Sequence, residues 1–400
     1  MDRPGGVQVH VRDTSAALAE LGHKVTIISP NVGGEGRVRG REAPNVRDLR
    51  LGRAHSVRFS GTKFEVSLAS GYQHRRLAAA LRPGRFDVVH YHSLWTPALP
   101  FQAFACSRGP SVVTFHDTPP DSLTGQISRA VLRAASGLLA PHIDEIIAVS
   151  EAPRGHLQAP PDRAIWVMPP CTDLRRFAPE PERSARPPGQ PVTILFVGRL
   201  EPRKGVMLLL ESYRRLCADG LDVRLVIAGD GGEEPALRRF AGQHRLPGVS
   251  FIGRFDAADA PGLYAACDIA CAPSPYGESF GIVVAEAMAS GKPVVAAANS
   301  GYRTLLTGEA AELLAPPGDA IALYDRLKRL ASDPQLRARL GAWGQMEAQR
   351  YDCRSVAPKL LDVYRRAMAS PMRAITSRGP VRSHRPDLII DGPEPDALAK

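Results

Sequence analysis

Residues 277–291 read GESFGIVVAEAMASG and join a glycine-bounded loop to a short helical run. The run from 282 to 290 is rich in alanine, methionine and other apolar residues, which is typical of a buried helix. Gly291 favours a left-handed helix stop, and Pro293 prevents a return to helix. The apolar run from 293 to 298 then predicts a buried strand, so the segment forms a loop–helix–strand unit.

Two acidic residues stand out in this segment. Glu278 lies in the loop, where the neighbouring glycines let a ligand approach the backbone closely. Glu286 lies on the helix and can point back toward Glu278, because helical side chains lean toward the N-terminus. Between them, the free N–H groups of Ser279, Phe280 and Gly281 lie at a positive helix end, which suits a phosphate. The alternative is a first-turn acid at Glu278 and a paired surface charge at Glu286.

The composition bounds the class of protein. A length of 400 residues exceeds one ordinary hydrophobic core, so two domains are expected. An apolar content of 44% and a charged content of 23% are typical of a soluble globular protein, and no run is long enough to span a membrane. The six cysteines are scattered, so we expect reduced core thiols of a cytoplasmic protein, not a metal site.

The chain is basic, with a formal net charge of +10. Arginines concentrate between Arg37 and Arg58 in a segment with little apolar periodicity, which favours a solvated loop. The segment has almost no interleaved aromatic residues, so nucleic-acid binding is not expected. A peripheral contact with an anionic membrane, at the inner face, or with a phosphorylated acceptor is the second interpretation, because basic patches accumulate near anionic lipid.

Strands alternate with helices along the chain, which predicts a parallel α/β sheet in each half. The strands are expected at 24–29, 88–92, 111–115 and 145–150, and then at 193–198, 224–228, 250–252, 269–272 and 293–297. A proline-rich run cannot join either sheet and marks a linker. The predicted division is an N-terminal domain (1–178), the linker (179–191), a C-terminal domain (192–350), a final helical segment (351–369) and a disordered tail (370–400).

A basic loop, GRLEPRKG at 198–205, directly follows a predicted strand, where open α/β sheets bind ligands. Arg199 offers a fork of donors and Lys204 a compact charge, with Arg203 as a spare cation. Cations at a helix start oppose the helix dipole, so an anionic ligand explains them better than a simple basic turn does. In the other half, Gly5-Gly6 before the first helix repeats this anion-binding geometry, although a glycine pair alone is usually only a turn.

With its glycines, its Phe-Gly pair and its Glu-Ala-Met, the 277–291 segment resembles the Glu-x7-Glu signature of the retaining GT-B glycosyltransferases of family 4. The resemblance covers nearly all of residues 4–369. Within the family, the chain most resembles the phosphatidylinositol mannosyltransferase branch. It implies two Rossmann-like domains that face a cleft, with the final helix crossing back onto the first domain. It also implies that Glu278 contacts the donor sugar and that Glu286 contacts the nucleotide ribose.

The resemblance implies roles for residues elsewhere in the chain. The Gly-Arg…Lys-Gly loop resembles the family's diphosphate clamp, formed by Arg199 and Lys204, and a glycine N–H of the Gly5-Gly6 loop meets the same diphosphate. His116, which ends a strand, matches the family's Phe-His, which contacts the donor sugar and orients the reacting groups, although a lone strand-end histidine is more often a capping residue. The remaining implied positions are Arg254 in the base pocket and His92 and Ser93 on the acceptor side.

The chemistry expected from these residues is transfer from a nucleotide sugar, GDP-mannose or a UDP-sugar, to a hydroxyl of a lipid, a glycan or a small molecule. No pair of acids is placed as a glycosidase requires, so a front-face reaction with retention is favoured. No Asp-x-Asp lies in a plausible site, so neither a metal nor another cofactor is expected. The alternatives are an epimerase or hydrolase of the same fold, and an inactive nucleotide-sugar-binding protein.

One feature departs from the resemblance. In a GT-B first domain a strand in the middle of the sheet precedes the glycine loop, whereas only Met1 to Pro4 precede Gly5. We therefore expect the first domain to lack its first strand and the natural N-terminus to lie upstream of Met1. The upstream segment should encode an apolar strand of roughly five to eight residues.

Overall fold

The computed structural model describes residues 5–31, 44–59, 62–94, 98–119, 123–161, 163–179 and 189–370. Two α/β units follow one another along the chain, each with parallel strands and flanking helices. The prediction of two Rossmann-like domains is confirmed. The predicted linker falls mostly on residues 180–188, and the predicted tail almost entirely on 371–400, both outside the described residues.

The first unit contains two separate sheets. Its helices are α1 (Gly6–Glu20), α2 (Gly71–Ala80), α3 (Leu99–Cys106), α4 (Leu123–Leu139) and α5 (Glu151–Arg154). Its strands are β1 (Val25–Asn31), β2 (Val46–Phe59), β3 (Thr62–Leu68), β4 (Val89–His92), β5 (Ser111–Phe115), β6 (Glu145–Ala148) and β7 (Ile165–Val167). One sheet has the order β1-β2-β3 and the other, fully parallel, the order β4-β5-β6-β7.

The arginine-rich segment differs from the expected loop. Its second half is the long strand β2, which pairs parallel with β1 and antiparallel with β3. Leu51 is buried in the core of the first unit, and Leu49 packs against that core. One face of β2 therefore makes apolar contacts, although the arginines hide this alternating pattern in the sequence. Of the arginines, Arg37, Arg39 and Arg41 lie outside the described residues.

The second unit has one six-stranded parallel sheet covered on both faces. Its helices are α6 (Val206–Ala218), α7 (Glu234–Gln243), α8 (Ala260–Ala265), α9 (Ile282–Ala289), α10 (Ala320–Ser332) and α11 (Pro334–Ala348). Its strands are β8 (Val192–Val197), β9 (Val223–Ala228), β10 (Val249–Gly253), β11 (Ile269–Ala272), β12 (Val294–Ala297) and β13 (Leu314–Ala315), in the order β10-β9-β8-β11-β12-β13. Burial on both faces explains why β8, β11 and β12 are almost entirely apolar, with Thr193 of β8 as the exception.

The last helix, α12 (Cys353–Met368), packs on the first unit, where it contacts α1, β5 and β6. Its N-cap, Asp352, also accepts a hydrogen bond from the Leu174 N–H at 3.1 Å. This contact brings Cys171 and Cys353 together, and they form a disulfide. The expectation that all six cysteines are free thiols is therefore wrong. Sequence reasoning missed this pair because the two residues are 182 positions apart and meet only through packing.

Within the described residues, no helix has both the length and the apolar character that crossing a bilayer requires.

Candidate active site

A large cavity lies between the two units, at the carboxyl ends of their parallel strands. Its volume is about 2960 Å³. From the first unit, the start of α1 and the ends of β4 and β5 line it; from the second, the loops after β8, β9 and β11 do so. This is the edge where open α/β sheets bind their ligands, as the sequence predicts.

The loop before α9 is held in place by glycines. Gly277 and Gly281 have φ values of 75° and 106°, a left-handed region that favours glycine. Gly301 lies directly under the loop, because a β-carbon there would be 2.6 Å from the Glu278 carbonyl oxygen. The Tyr302 ring supports Gly281 in the same way. The short helical turn at 302–304 is therefore the floor on which the Glu278 loop rests.

Glu278 and Lys204 form a buried ion pair at this floor. The Lys204 Nζ lies 2.6 Å from the Glu278 Oε1, and Arg203 Nη1 approaches the same oxygen at 3.3 Å. Burial alone would raise the pKa of Glu278, but the charges of Lys204 and Arg203 hold that pKa below its ordinary value. The carboxylate is therefore ionised at neutral pH and can accept hydrogen bonds from hydroxyl groups with the lone pairs that Lys204 and Arg203 do not use.

The basic loop reaches this pair through a tight turn. A short helical turn at Pro202–Lys204 ends at Gly205 (φ 70°), where a β-carbon would be 2.3 Å from the Pro273 carbonyl oxygen. Burial lowers the pKa of Lys204, with Glu278 opposing the shift. Glu201 connects the cations of the loop, since it pairs with Arg199 at 2.8 Å and with Arg203 at 3.2 Å. Sequence reasoning named Arg203 only as a spare, and it missed the bridging Glu201.

Two helix starts face the cavity from opposite sides. Gly5 is the N-cap of α1, and Gly281 is the N-cap of α9. Neither helix has a side-chain cap or an acidic residue in its first turn. The two starts are close, because a β-carbon at Gly6 would lie 3.5 Å from Ile282. Two positive helix ends and a cluster of cations on one cavity make it suited to a diphosphate.

Four histidines gather on the first-unit side of the cavity. The His92 Nδ1 lies 3.0 Å from the His116 Nε2, and the His10 ring is 5.2 Å from the His92 ring. His90 is held by the Tyr364 hydroxyl at 2.8 Å and the Thr114 hydroxyl at 2.7 Å. The structure thus brings the predicted His92 and His116 together and adds His10 and His90, which sequence reasoning did not single out.

Burial keeps these imidazoles neutral. It lowers the pKa of His10 to about 4 and that of His90 to about 3, and it holds the pKa values of His92 and His116 well below the ordinary range. Ring nitrogens of His10, His92 and His116 lie within 4.8 Å of one another, so these three residues could hold a transition metal. That the reaction needs no metal stays a prediction.

Glu286 lies deeper than the predicted donor site requires, whereas Phe280 borders the cavity. Glu286 is buried, its Oε2 accepts a hydrogen bond from the Tyr264 hydroxyl at 3.1 Å, and burial raises its pKa to about 7. It does not border the cavity, as far as the described residues show. The Phe280 ring packs on Tyr351, with the two ring centres 5.4 Å apart.

Ser279 connects the two units. The Thr118 hydroxyl donates to the Ser279 hydroxyl at 2.8 Å, and the Ser150 hydroxyl donates to the Ser279 carbonyl oxygen. The other predicted residues, Arg254 and Ser93, border the cavity, and Ser93 directly follows β4 with a φ of 55°. Arg254 is exposed on the far wall. Nearly all the predicted residues therefore meet at one cavity, with Glu286 set behind it.

Comparison with known proteins gives two family models that together cover most of the chain. The model described as Glycosyltransferase Family 4 matches residues 4–176, and the model described as Glycosyl transferases group 1 matches residues 179–346. The phosphatidyl-myo-inositol mannosyltransferase of Mycolicibacterium smegmatis is 34% identical, over 91% of this chain and 90% of that protein. The D-inositol 3-phosphate glycosyltransferase of Kribbella flavida is 30% identical, over 92% and 93%.

Solved structures share the fold. The sucrose-phosphate synthase of Thermosynechococcus elongatus has a TM-score of 0.70 at 23% identity, over 92% of this chain and 94% of that one. The Anabaena protein HepE in complex with UDP and glucose has a TM-score of 0.69 at 20% identity, over 90% and 96%. The predicted GT-B architecture is confirmed by these neighbours.

Proposed function

The chain belongs to the family 4 glycosyltransferases, and on that premise we propose that it transfers mannose from GDP-mannose to a hydroxyl of phosphatidyl-myo-inositol. The reaction retains the anomeric configuration and needs no metal ion. The observation that carries the proposal is the buried Lys204–Glu278 pair, which lies beside two uncapped helix starts in one cavity.

The donor binds with its diphosphate at the helix starts and its sugar on Glu278. The N–H groups after Gly5 and Gly281 and the cations of the 199–204 loop neutralise the diphosphate. Charge grows on that group as it leaves, so donors fixed there stabilise the transition state more than the ground state. The ionised Glu278 accepts hydrogen bonds from sugar hydroxyls and fixes the ring against the leaving group.

Transfer proceeds on one face of the sugar. The acceptor hydroxyl oxygen bonds to the anomeric carbon on the face from which the diphosphate departs, and the bond between that carbon and the diphosphate oxygen breaks. The hydroxyl proton passes to the leaving diphosphate oxygen. His92 and His116 are neutral and can orient the reacting hydroxyl groups by hydrogen bonds. The cations of the loop perform the charge neutralisation that a divalent metal provides elsewhere.

The acceptor is inferred from relatives and from the mouth of the cavity. The names of both curated relatives contain an inositol, one as a phospholipid and one as a soluble phosphate. On α4, Ile127 and Val131 border the cavity with 64% and 60% of their surface exposed, and Leu138 is 74% exposed further along. Arg129 and Arg133 are on the same helix. Apolar and basic side chains together favour the surface of an anionic membrane, and hence the lipid acceptor.

The test supplies labelled GDP-mannose or UDP-glucose with three acceptors: vesicles that contain phosphatidyl-myo-inositol, soluble inositol phosphate, and water. We expect an α-mannosyl lipid from GDP-mannose, with the same rate in EDTA. Transfer only to the soluble acceptor would overturn the lipid assignment. Sugar release without an acceptor would favour a hydrolase, and nucleotide-sugar binding without turnover a binding protein. Loss of activity in EDTA, restored by Mg²⁺ or Mn²⁺, would contradict metal independence.

The membrane contact has a matched test. Ile127→Glu and Val131→Glu should reduce sedimentation with acidic vesicles and the rate on vesicle-bound lipid, because they place a charge on the contacting face. Both should leave the rate on a short-chain soluble analogue unchanged. Ile321→Glu, at an exposed position on α10 of the second unit, is the control. Equal sedimentation with acidic and neutral vesicles at low salt would rule out the electrostatic part.

A further inference from the structure

Three histidines converge where the first unit borders the cavity. His92 is the last residue of β4, His116 directly follows β5, and His10 lies in the second turn of α1. In the parallel register of the two strands, His92 pairs with Thr114. Because side chains alternate along a strand, the His92 and His116 side chains lie on the same face of this sheet. The His10 ring reaches that face from α1, with its centre 5.2 Å from that of His92 and 5.3 Å from that of His116.

The nitrogen atoms of these rings are spaced nearly as metal ligands are. One ring nitrogen from each of the three residues lies within 4.8 Å of the other two, and the His92 Nδ1 lies 3.0 Å from the His116 Nε2. A tetrahedral Zn²⁺ ion with Zn–N bonds of about 2.0–2.1 Å holds its nitrogen ligands about 3.3–3.4 Å apart. Small side-chain shifts are therefore enough for the three nitrogens to share one ion.

The surrounding hydrogen bonds show which rings are suited to bind an ion. The His10 Nδ1 lies 3.4 Å from the Cys171 carbonyl oxygen and 3.3 Å from the Thr14 hydroxyl. A carbonyl oxygen only accepts, so Nδ1 carries the ring proton and Nε2 keeps the free lone pair. Metal-binding histidines almost always donate their other N–H in this way, which fixes the tautomer and the orientation of the ring. His90 is not a ligand, because hydroxyl groups already hold both of its ring nitrogens.

The simpler interpretation is a hydrogen bond between two neutral imidazoles. In that case one ring of the His92–His116 pair donates an N–H to the other, and His10 only packs against them. Binding of a metal ion replaces this hydrogen bond. The donating ring then carries its proton on its other nitrogen, so that both facing nitrogens offer lone pairs to the ion. The two interpretations differ in whether His10 contributes a bond, which makes His10 the residue to test.

The ligand atoms select the class of ion. In the described part of the chain, the cluster contains imidazoles only and no carboxylate. Imidazole suits Zn²⁺, Cu²⁺ and Ni²⁺, whereas Mg²⁺ and Ca²⁺ prefer oxygen ligands. Three protein ligands leave a fourth position open, as in catalytic zinc sites. Because His92 and His116 border the cavity while His10 is buried, this open position faces the cavity.

We propose that His10, His92 and His116 form a binding site for one Zn²⁺ or similar transition-metal ion, with its open position toward the cavity. An ion bound there inhibits transfer, because it occupies the ring nitrogens of His92 and His116 that otherwise orient the reacting hydroxyl groups. The inhibition rests on the proposed function. The metal binding does not, since it depends only on the three rings, so the two parts have separate measurements.

Metal binding is measured on the full chain at neutral pH after treatment with a chelator. Co²⁺ should give the visible absorption of a four- or five-coordinate ion at one ion per chain, and Zn²⁺ should displace it whereas excess Mg²⁺ should not. His10→Gln and His92→Gln should each weaken Zn²⁺ binding by roughly 10–100-fold or more, since the loss of an outer partner of a ligand already costs that much. His74→Gln is the matched control, because the His74 Nε2 lies 4.0 Å from the Cys106 Sγ and that pair could also bind a metal ion.

Inhibition is measured as the ratio of transfer rates with and without Zn²⁺ for each variant. We expect the wild type to lose most of its rate once the site is saturated, and His10→Gln to need roughly 10–100-fold more Zn²⁺ for the same loss. No bound ion in the wild type, unchanged affinity in both histidine variants, or binding lost in His74→Gln would overturn the site. Equal inhibition of the wild type and His10→Gln would assign the effect to Zn²⁺ bound by the nucleotide, and a full rate with the site occupied would also overturn the inhibition. If no acceptor is glycosylated, the inhibition falls with the proposed function, but the Co²⁺ spectrum still decides the site.

Discussion

The Lys204 ammonium lies 2.6 Å from the Glu278 carboxylate, and both side chains are largely buried. A buried pair of this kind is strongly destabilised when one partner is removed, because the other charge stays unpaired in a poorly solvated place. Its presence at the cavity floor therefore ties the stability of the loop before α9 to the same groups that would bind the donor.

Replacing Glu278 with glutamine tests its contact with the sugar. Glu278→Gln should lower kcat by roughly 10²–10³, because the amide accepts fewer hydrogen bonds from the sugar. It should also lower the melting temperature, because Lys204 loses its counter-charge, while nucleotide affinity changes little because the cations of the diphosphate site remain. Steady-state rates, thermal unfolding and GDP titration measure the three effects. Glu309→Gln, on the surface of the second unit, is the control. Near-normal turnover in Glu278→Gln would contradict the assignment of Glu278 to the sugar contact.

Removing the cations of the basic loop tests the proposed diphosphate-binding site. Lys204→Ala and Arg199→Ala should each weaken transition-state stabilisation by about 2–4 kcal/mol, as the loss of one oxyanion donor does elsewhere. Because Lys204 also neutralises Glu278, Lys204→Ala should in addition lower the melting temperature, whereas Arg199→Ala, at a half-exposed position, should not. Arg239→Ala, on the exposed face of α7, is the control. Unchanged kcat/KM in both loop variants would contradict the clamp.

Gly301 should position the Glu278 loop without contacting the substrate. In Gly301→Ala the new β-carbon would meet the Glu278 carbonyl oxygen at 2.6 Å, so the loop must shift. We expect kcat to fall by roughly tenfold to a hundredfold, because small misplacements of reacting groups are costly, while the far-UV spectrum stays unchanged. Gly242→Ala in α7 is the matched control: it meets no atom within 4 Å and should stabilise the protein by about 0.5–1 kcal/mol. A fully active Gly301→Ala would disprove the positioning role.

Glu286 should make stability depend on pH. Burial raises its pKa from the ordinary 4.5 to about 7, so over that interval the folded state holds a proton that the unfolded state has released. Stability supplied by the protonated group is full below pH 4.5 and is lost as the pH rises to about 7, by up to about 3 kcal/mol. Urea unfolding at several pH values should show this slope in the wild type and a flatter one in Glu286→Gln. Parallel curves for the two proteins would refute the shift.

The disulfide between Cys171 and Cys353 should be detectable by counting the thiols that can be labelled. Under denaturing, non-reducing conditions, thiol labelling should modify four cysteines, and after reduction it should modify all six. Because the bond closes a loop of 182 residues, Cys353→Ser should also lower the melting temperature under oxidising conditions but not in the presence of reductant. Six labelled cysteines without reductant would show that the two thiols are free.

The local elements of the fold follow from the sequence alone. Gly291 and Pro293 end α9 where the sequence predicts, β5 and β11 have the predicted bounds, and the loop after β8 carries the expected cations. These features depend on neighbours within a few residues, through backbone sterics and the alternation of apolar residues. The exception is β2, because its pairing with two other strands outweighs a composition that favours a loop.

Only the tertiary structure decided which residues meet. Glu278 pairs with Lys204 across 74 positions, and Cys171 meets Cys353 across 182, so no local pattern carries either contact. The same holds for Gly301 under the Glu278 carbonyl and for His10 beside His92. For Glu286, the sequence predicts the position on the helix correctly but not the position relative to the cavity. Packing against Tyr264 places this residue behind the cavity. Local sterics fix the elements, whereas the burial of apolar faces fixes which of their polar residues come together.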